Sequence, residues 1–194
     1  MNKSDKRSVI LQVALELIAE RGFHDAPMSE IAGKAHVAAG TIYRYFENKD
    51  VLINEMFQEI EDKLLEAVLR NYPEGKPIQE QFSHLFSQLF RYLLTHPIHF
   101  RYMEQFFNSP YGISKRRDKL LDKNITSGKR DTLVEIFNEG ISQQIIKDLP
   151  FIVLSSLAIG PMLNVIRDHT LGFVVLDESL IRRITEACWD AIKR

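Results

Sequence analysis

APMSEIAGKAHVAAGTIYRYFENKDVL, residues 26–52, decides how this chain folds. Ile31, Ala32 and Ala35 fall on one side of a short helix predicted over residues 27–35. His36-Val37 reads as a tight turn, and a second helix is predicted over residues 38–46. Ala38, Ala39 and Gly40 leave the tip of that second helix without bulk, so it can approach a partner closely. Thr41, Tyr43, Arg44 and Tyr45 follow with hydroxyls, rings and one guanidinium. Groups of this kind meet phosphate oxygens and base edges. This is the layout of a helix-turn-helix whose second helix enters a DNA major groove.

The flanking sequence frames this motif with longer helices. Upstream, Val9, Val13 and Leu17, with Ile10, Ala14 and Ile18 beside them, repeat at four-residue spacing and predict a helix over 5–21. Gly22 ends it at a C-cap position. Downstream, Asn48 is a good N-cap and Asp50 suits a first turn, so a fourth helix runs from there to about residue 70. Its apolar positions are Leu52, Met56, Phe57, Ile60, Leu64 and Val68. Residues 71–77, with Pro73, Gly75 and Pro77, are the clearest break and set the domain boundary.

Beyond the break every segment reads as helix. Ile78, Phe82, Leu85, Phe86, Leu89, Phe90 and Leu93 have helical spacing, and His96-Pro97 opens a short helix carrying Tyr102, Met103, Phe106 and Phe107. A turn is expected at 109–112, then a long helix over 115–140 with Gly128 as its weak point. Residues 149–166 are the most apolar run; Ser155, Ser156, Gly160, Pro161 and Asn164 interrupt it, which suits a buried helix better than a membrane span. Pro161 removes the hydrogen bond to the Leu157 carbonyl and predicts a bend. The last helix covers 177–192. The expected fold is all-α: a three-helix helix-turn-helix head over 1–50, a connecting helix over 51–70, and a helical effector-binding and dimerisation bundle over 71–194.

The stretch from about Val9 to Leu52 also resembles the TetR-type transcriptional regulators. The resemblance rests on Gly22-Phe23, Ile31-Ala32, Thr41-Ile42-Tyr43-x-Tyr45-Phe46 and Asn48-Lys49 taken together. It implies that Thr41, Tyr43, Tyr45 and Lys49 contact the DNA backbone, and that Ala38, Ala39, Gly40 and Arg44 lie at or near the bases. It also implies a ligand site between the later helices, whose occupancy changes the spacing of two heads. Two positions depart from the family pattern. His36 stands where glycine is usual in the turn, and Ala26-Pro27-Met28 replaces the hydroxyl residues that often open the first short helix; Ser29 is the substitute for the lost contact. Lys49 sits on a first helical turn, where free N–H groups and the dipole favour a phosphate. Ile42 and Phe46 fall on the inner face and are core.

The charge balance is nearly neutral, with a net charge of -1. Residues 1–50 carry seven basic side chains (Lys3, Lys6, Arg7, Arg21, Lys34, Arg44, Lys49) against seven acidic ones. Where charges sit decides a field more than their sum does, and Lys3, Lys6, Arg7, Arg44 and Lys49 can share one face. Few phosphate contacts per head then make a dimer necessary for affinity. The single Cys188 allows no intrachain disulfide, and no basic segment followed by an apolar stretch opens the chain; both fit a cytoplasmic protein without a membrane anchor.

Aromatic residues concentrate between Phe82 and Tyr111. The effector-pocket candidates are Phe86, Phe90, Met103, Phe106, Phe107, Tyr111, Met162 and Ile166, which would suit a small apolar ligand with few polar contacts. The dimer-interface candidates are Leu154 and Leu157 on the apolar helix, with Leu180, Ile184, Ala187, Cys188 and Ala191 on the last one. No histidine pair has metal-ligand spacing, no glycine-rich phosphate loop is present, and no Ser/His/Asp order suggests a nucleophile. No catalytic residue, metal or cofactor is therefore expected. The reading is a dimeric, ligand-responsive repressor of a palindromic operator in double-stranded DNA. A helical protein-interaction module without DNA binding, or more weakly an enzyme, is the alternative.

Overall fold

Apolar periodicity becomes helix throughout the computed structural model, which describes residues 3–121 and 132–194, with side chains described for 6–115 and 132–194. The helices are α1 (Lys3–Arg21), α2 (Met28–Lys34), α3 (Ala39–Ile42), α4 (Lys49–Leu69), α5 (Ile78–Thr95), α6 (Pro97–Phe107), α7 (Pro110–Leu121), α8 (Thr132–Ser142), α9 (Phe151–Thr170) and α10 (Glu178–Ile192). No strand occurs among the described residues, and the protein is all-α. These helices form two compact units. The first holds α1 to α3, α4 as far as Lys63, and both α6 and α7; the second holds the rest of α4 with α5, α8, α9 and α10.

In the first unit Ile10, Ala14, Leu17 and Ile18 of α1 meet Ile31 and Ala32 of α2, Ile42 and Phe46, and Leu52, Ile53, Met56, Phe57 and Ile60 of α4. Tyr102 and Phe106 of α6 are buried in this same core. Phe106 stacks on Phe57 with ring centroids 4.0 Å apart, and the Tyr102 hydroxyl donates to the Ile53 carbonyl at 2.7 Å. The backbone at the predicted cap Gly22 is left-handed (φ 86°), as is that of His36 (φ 54°), where the turn between α2 and α3 requires it. A histidine carries that conformation at some steric cost, which a glycine would avoid.

Two predicted boundaries are corrected. The second helix of the motif is short: α3 ends at Ile42, and the Tyr45 and Phe46 amides both bond back to the Ile42 carbonyl as the chain turns. Residues 109–112 are not a turn before the next helix, because α7 already begins at Pro110. Proline fits a first helical turn, and Gly112 is there for space, since a Cβ would lie 2.4 Å from the Phe106 carbonyl oxygen. Of the long helix expected over 115–140, α7 and α8 are its described ends; Gly128 lies outside the described residues.

In the second unit α10 packs on α9 and α5, and α8 on α5. The buried face of α10 is Ile181, Thr185, Cys188, Trp189 and Ile192, and Arg91 of α5 holds Glu178 through two hydrogen bonds of 3.2 and 2.8 Å. The expectation of a buried apolar helix is met on one side only. α9 continues through Pro161 and buries Leu154, Ala158, Met162 and Ile166, a stripe at four-residue spacing. Ile152, Val153 and Leu157 stay exposed, and only 22% of the apolar stretch is buried within the chain. By length and composition α9 passes as a membrane-crossing helix; its other face is only partly covered by the described residues.

Phe106 and Phe107 are neighbours on α6 with different environments, the first fully buried and the second half-buried edge-on to Phe57. Phe106→Ala is expected to cost about 3–5 kcal/mol and Phe107→Ala distinctly less. Urea unfolding of the two variants measures the difference.

Candidate nucleic-acid interface

α2 and α3 place the polar and small residues of the motif on the surface. Ala38, Ala39, Gly40, Tyr43 and Arg44 are exposed, and the Tyr43 side chain has 55% of its residue surface in solvent. A Cβ built on Gly40 meets nothing within 4 Å, so no internal contact demands glycine there. The open space is available to a partner. Thr41 is half-buried, and Tyr45 packs partly on the head core. Ser29 is exposed on the first turn of α2, whose N-cap Pro27 supplies no side-chain cap. Ile42 and Phe46 are fully buried, as inner-face residues should be.

The cations of the head are divided. Arg7 does not join an outward basic face: its guanidinium bonds to Glu55 at 2.6 Å and Glu59 at 2.5 Å, and stands over the Phe46 ring. This corrects the grouping of Arg7 with Arg44 and Lys49, and the cause is that two α4 carboxylates one helical turn apart face the start of α1. Lys49 is half-buried, and its ammonium donates to the Phe23 carbonyl just past α1. Partial burial lowers its pKa from the ordinary lysine value, against the pull of Asp25 and Asp50. Arg44 remains exposed. Asn48 caps α4 by accepting from the Val51 amide at 2.9 Å, as its sequence position predicts.

Sequence reasoning missed the groups that hold the start of α4 in place. The Tyr111 hydroxyl donates to Asp50 at 2.5 Å, and the Phe23 ring meets Tyr102 and Tyr111 edge-on at 5.9 and 5.5 Å. Nothing in the spacing of residues 61 positions apart signals such a bond.

The pocket candidates are divided between the two units. Met103, Phe106, Phe107 and Tyr111 belong to the first unit, packed in or against the head core, whereas Phe86, Phe90, Met162 and Ile166 are buried in the second. A cleft of about 810 Å³ in the second unit is lined by none of the eight; Tyr72, Gln81, Glu135, Ile136 and Glu139 are among its walls. Buried aromatic residues look alike in a sequence whether they fill a core or edge a cavity. Among the dimer candidates, Leu157 and Ala187 are exposed and Leu180, Ile184 and Ala191 half-buried. Leu154 and Cys188 are corrected: both are turned inward and fully covered by their own unit, and burial raises the Cys188 pKa.

Comparison with known proteins follows this geometry closely. Residues 10–56 match the family described as bacterial regulatory proteins, tetR family, and residues 77–193 match the tetracyclin repressor-like C-terminal domain. An uncharacterized HTH-type transcriptional regulator of Haemophilus influenzae is 24% identical over 193 residues, covering 99% of this chain and 98% of its own. A fatty acid metabolism regulator protein of Bacillus subtilis is 35% identical over 91 residues, 47% of either chain. A crystal structure of a TetR family transcription regulator from Marinobacter aquaeolei superposes with a TM-score of 0.83 at 25% identity, covering 100% of this chain and 99% of that one.

Tyr43→Phe and Lys49→Ala should separate two roles. Tyr43→Phe removes an exposed neutral hydroxyl, so affinity for DNA falls while stability and the salt slope stay. Lys49→Ala removes a charge and the bond to Phe23; the slope of log affinity against log salt flattens by about 0.9 per lost phosphate contact, and the melting temperature drops. Binding isotherms at several salt concentrations, with thermal melts, check both.

Proposed function

Because the chain belongs to the TetR family of helix-turn-helix transcriptional regulators, we propose that it is a repressor that leaves a palindromic operator when a small apolar effector binds its second unit. The observation that carries the DNA reading is the exposed tip of α3, bare at Ala38, Ala39 and Gly40 and followed by Thr41, Tyr43 and Arg44. In this reading the bare tip reaches the base edges with Arg44, while Ser29, Thr41, Tyr43, Tyr45 and Lys49 hold the phosphates. Regulators of this family typically act as dimers. Two heads related by a two-fold axis read two half-sites, which is why the operator is palindromic.

The dimer surface is assigned to the faces that one chain leaves bare. Leu157, with Ile152 and Val153, lies on the uncovered side of α9, and Leu180, Ile184, Ala187 and Ala191 form a stripe on α10 beside its buried face. Small residues at Ala187 and Ala191 let helices of two copies approach closely, and a four-helix contact results. Exposed Leu171, Phe173 and Val175 extend the apolar surface past the end of α9.

The effector is placed in the second unit, where Phe86, Phe90, Met162 and Ile166 supply an apolar lining that must part to admit it. The likeness to a protein described as a fatty acid metabolism regulator supports a lipid-like ligand. The proposal gives the protein no catalytic residue, cofactor or metal, and a cytoplasmic location.

Ile184→Asp should leave an unpaired charge in the interface, yielding monomer on sedimentation and loss of operator binding together. A variant that stays dimeric moves the interface off α10. For the effector, thermal-shift screening of fatty acids and acyl thioesters should find a stabilising compound that releases bound DNA. A stabilised protein that keeps its DNA would refute induction by that ligand.

A further inference from the structure

We infer that Tyr111, on the first turn of α7, is a positioning residue for the DNA-reading head, its hydroxyl holding the Asp50 carboxylate away from the DNA backbone. The inference rests on the reading of the head as a DNA interface. Asp50 is the second residue of α4 and follows Lys49, the cation assigned to a phosphate. A carboxylate left pointing outward there would repel that phosphate. Asp50 is one of the seven acidic side chains that balance the seven basic ones in residues 1–50, so where its charge points bears on the field of the head.

The geometry gives that carboxylate a fixed partner while it stays exposed. The Tyr111 hydroxyl donates to Asp50 Oδ1 at 2.5 Å, and the Tyr111 ring is fixed in turn against Phe23 and the core of the head. A phenol is protonated at neutral pH and donates; burial, then the bond to Asp50, push the Tyr111 pKa further up, to about 12. A neutral donor is the right group for this task. It fixes the carboxylate without itself competing for phosphate, as a lysine at the same place would. The Lys49 ammonium meanwhile sits on the Phe23 carbonyl, so Tyr111 and Phe23 orient the two charged neighbours at the start of α4 separately.

Tyr111→Phe keeps the ring and deletes only the hydroxyl; Asp50→Asn keeps an acceptor and deletes the charge. Wild type, both single variants and the double variant are titrated against a duplex that the wild-type protein selects from a random pool, over a range of potassium chloride. Tyr111→Phe should weaken binding about two- to fivefold per head at low salt, with the deficit narrowing as salt screens the freed carboxylate. The double variant should bind like Asp50→Asn alone. A Tyr111→Phe protein that binds as wild type at low salt overturns the inference, and so does an equal loss in the Asp50→Asn background. Without DNA, Tyr111→Phe should speed hydrogen exchange of the amides at 48–53 while leaving α9 and α10 unchanged; unaltered exchange there removes the latch. A wild-type protein that selects no duplex would overturn the reading of the head instead, and the exchange experiment still decides the latch.

Discussion

Helices as short as α2 and α3 cannot bury enough apolar surface to be stable by themselves, and this governs the architecture of the first unit. Their inner residues Ile31, Ala32 and Ile42 need walls, which α1 and α4 provide on two sides and α6 completes with Tyr102 and Phe106. The stack of Phe106 on Phe57 is therefore more than packing within a bundle. It fixes the helix that follows the reading segment, and with it the platform from which α3 projects. A head defined by residues 1–50 alone would leave that side of its core uncovered.

Charge in the head is arranged to keep a near-neutral sequence useful on a polyanion. Glu55 and Glu59 share the Arg7 guanidinium, and Asp50 accepts from Tyr111. Arg44 and Tyr43 stay exposed. An acidic count in a sequence cannot be subtracted from a basic count to predict such a surface, because the field that DNA meets depends on where each charge sits. The pairing also has a structural return, since Arg7 joins the start of α1 to α4 and lies over Phe46.

The second unit shows the complementary constraint. Its helices carry more apolar surface than one chain can cover: α9 buries one stripe and leaves Ile152, Val153 and Leu157 bare. Burying such a surface against a second copy returns roughly 25 cal/mol per Å² of apolar area removed from water, before the cost of association is counted. The proposed dimer thus answers an imbalance already present in the folded chain. The inward turn of Cys188 and Leu154 gives α10 and α9 one face to the chain's own core, and the proposed dimer uses the other.

The sequence by itself determined what depends on local pattern. Four-residue spacing fixed α1 and α4 to within a few residues, Asn48 and Gly22 marked their ends, and the turn read at His36-Val37 is where the backbone turns left-handed. The outward placement of Ala38, Ala39 and Gly40 and the inward placement of Ile42 agree with the same reading, since inner and outer faces of a short helix exclude each other. Only the tertiary structure decided which distant groups meet. It assigned α6 and α7 to the head's unit, turned Phe106 into core, divided the pocket candidates between two units, and set Tyr111 on Asp50 and Arg7 on Glu55. The physical reason is that hydrophobic burial rewards any apolar partner about equally. Which ring meets which is settled by how whole helices close around one another, and no residue carries that information alone.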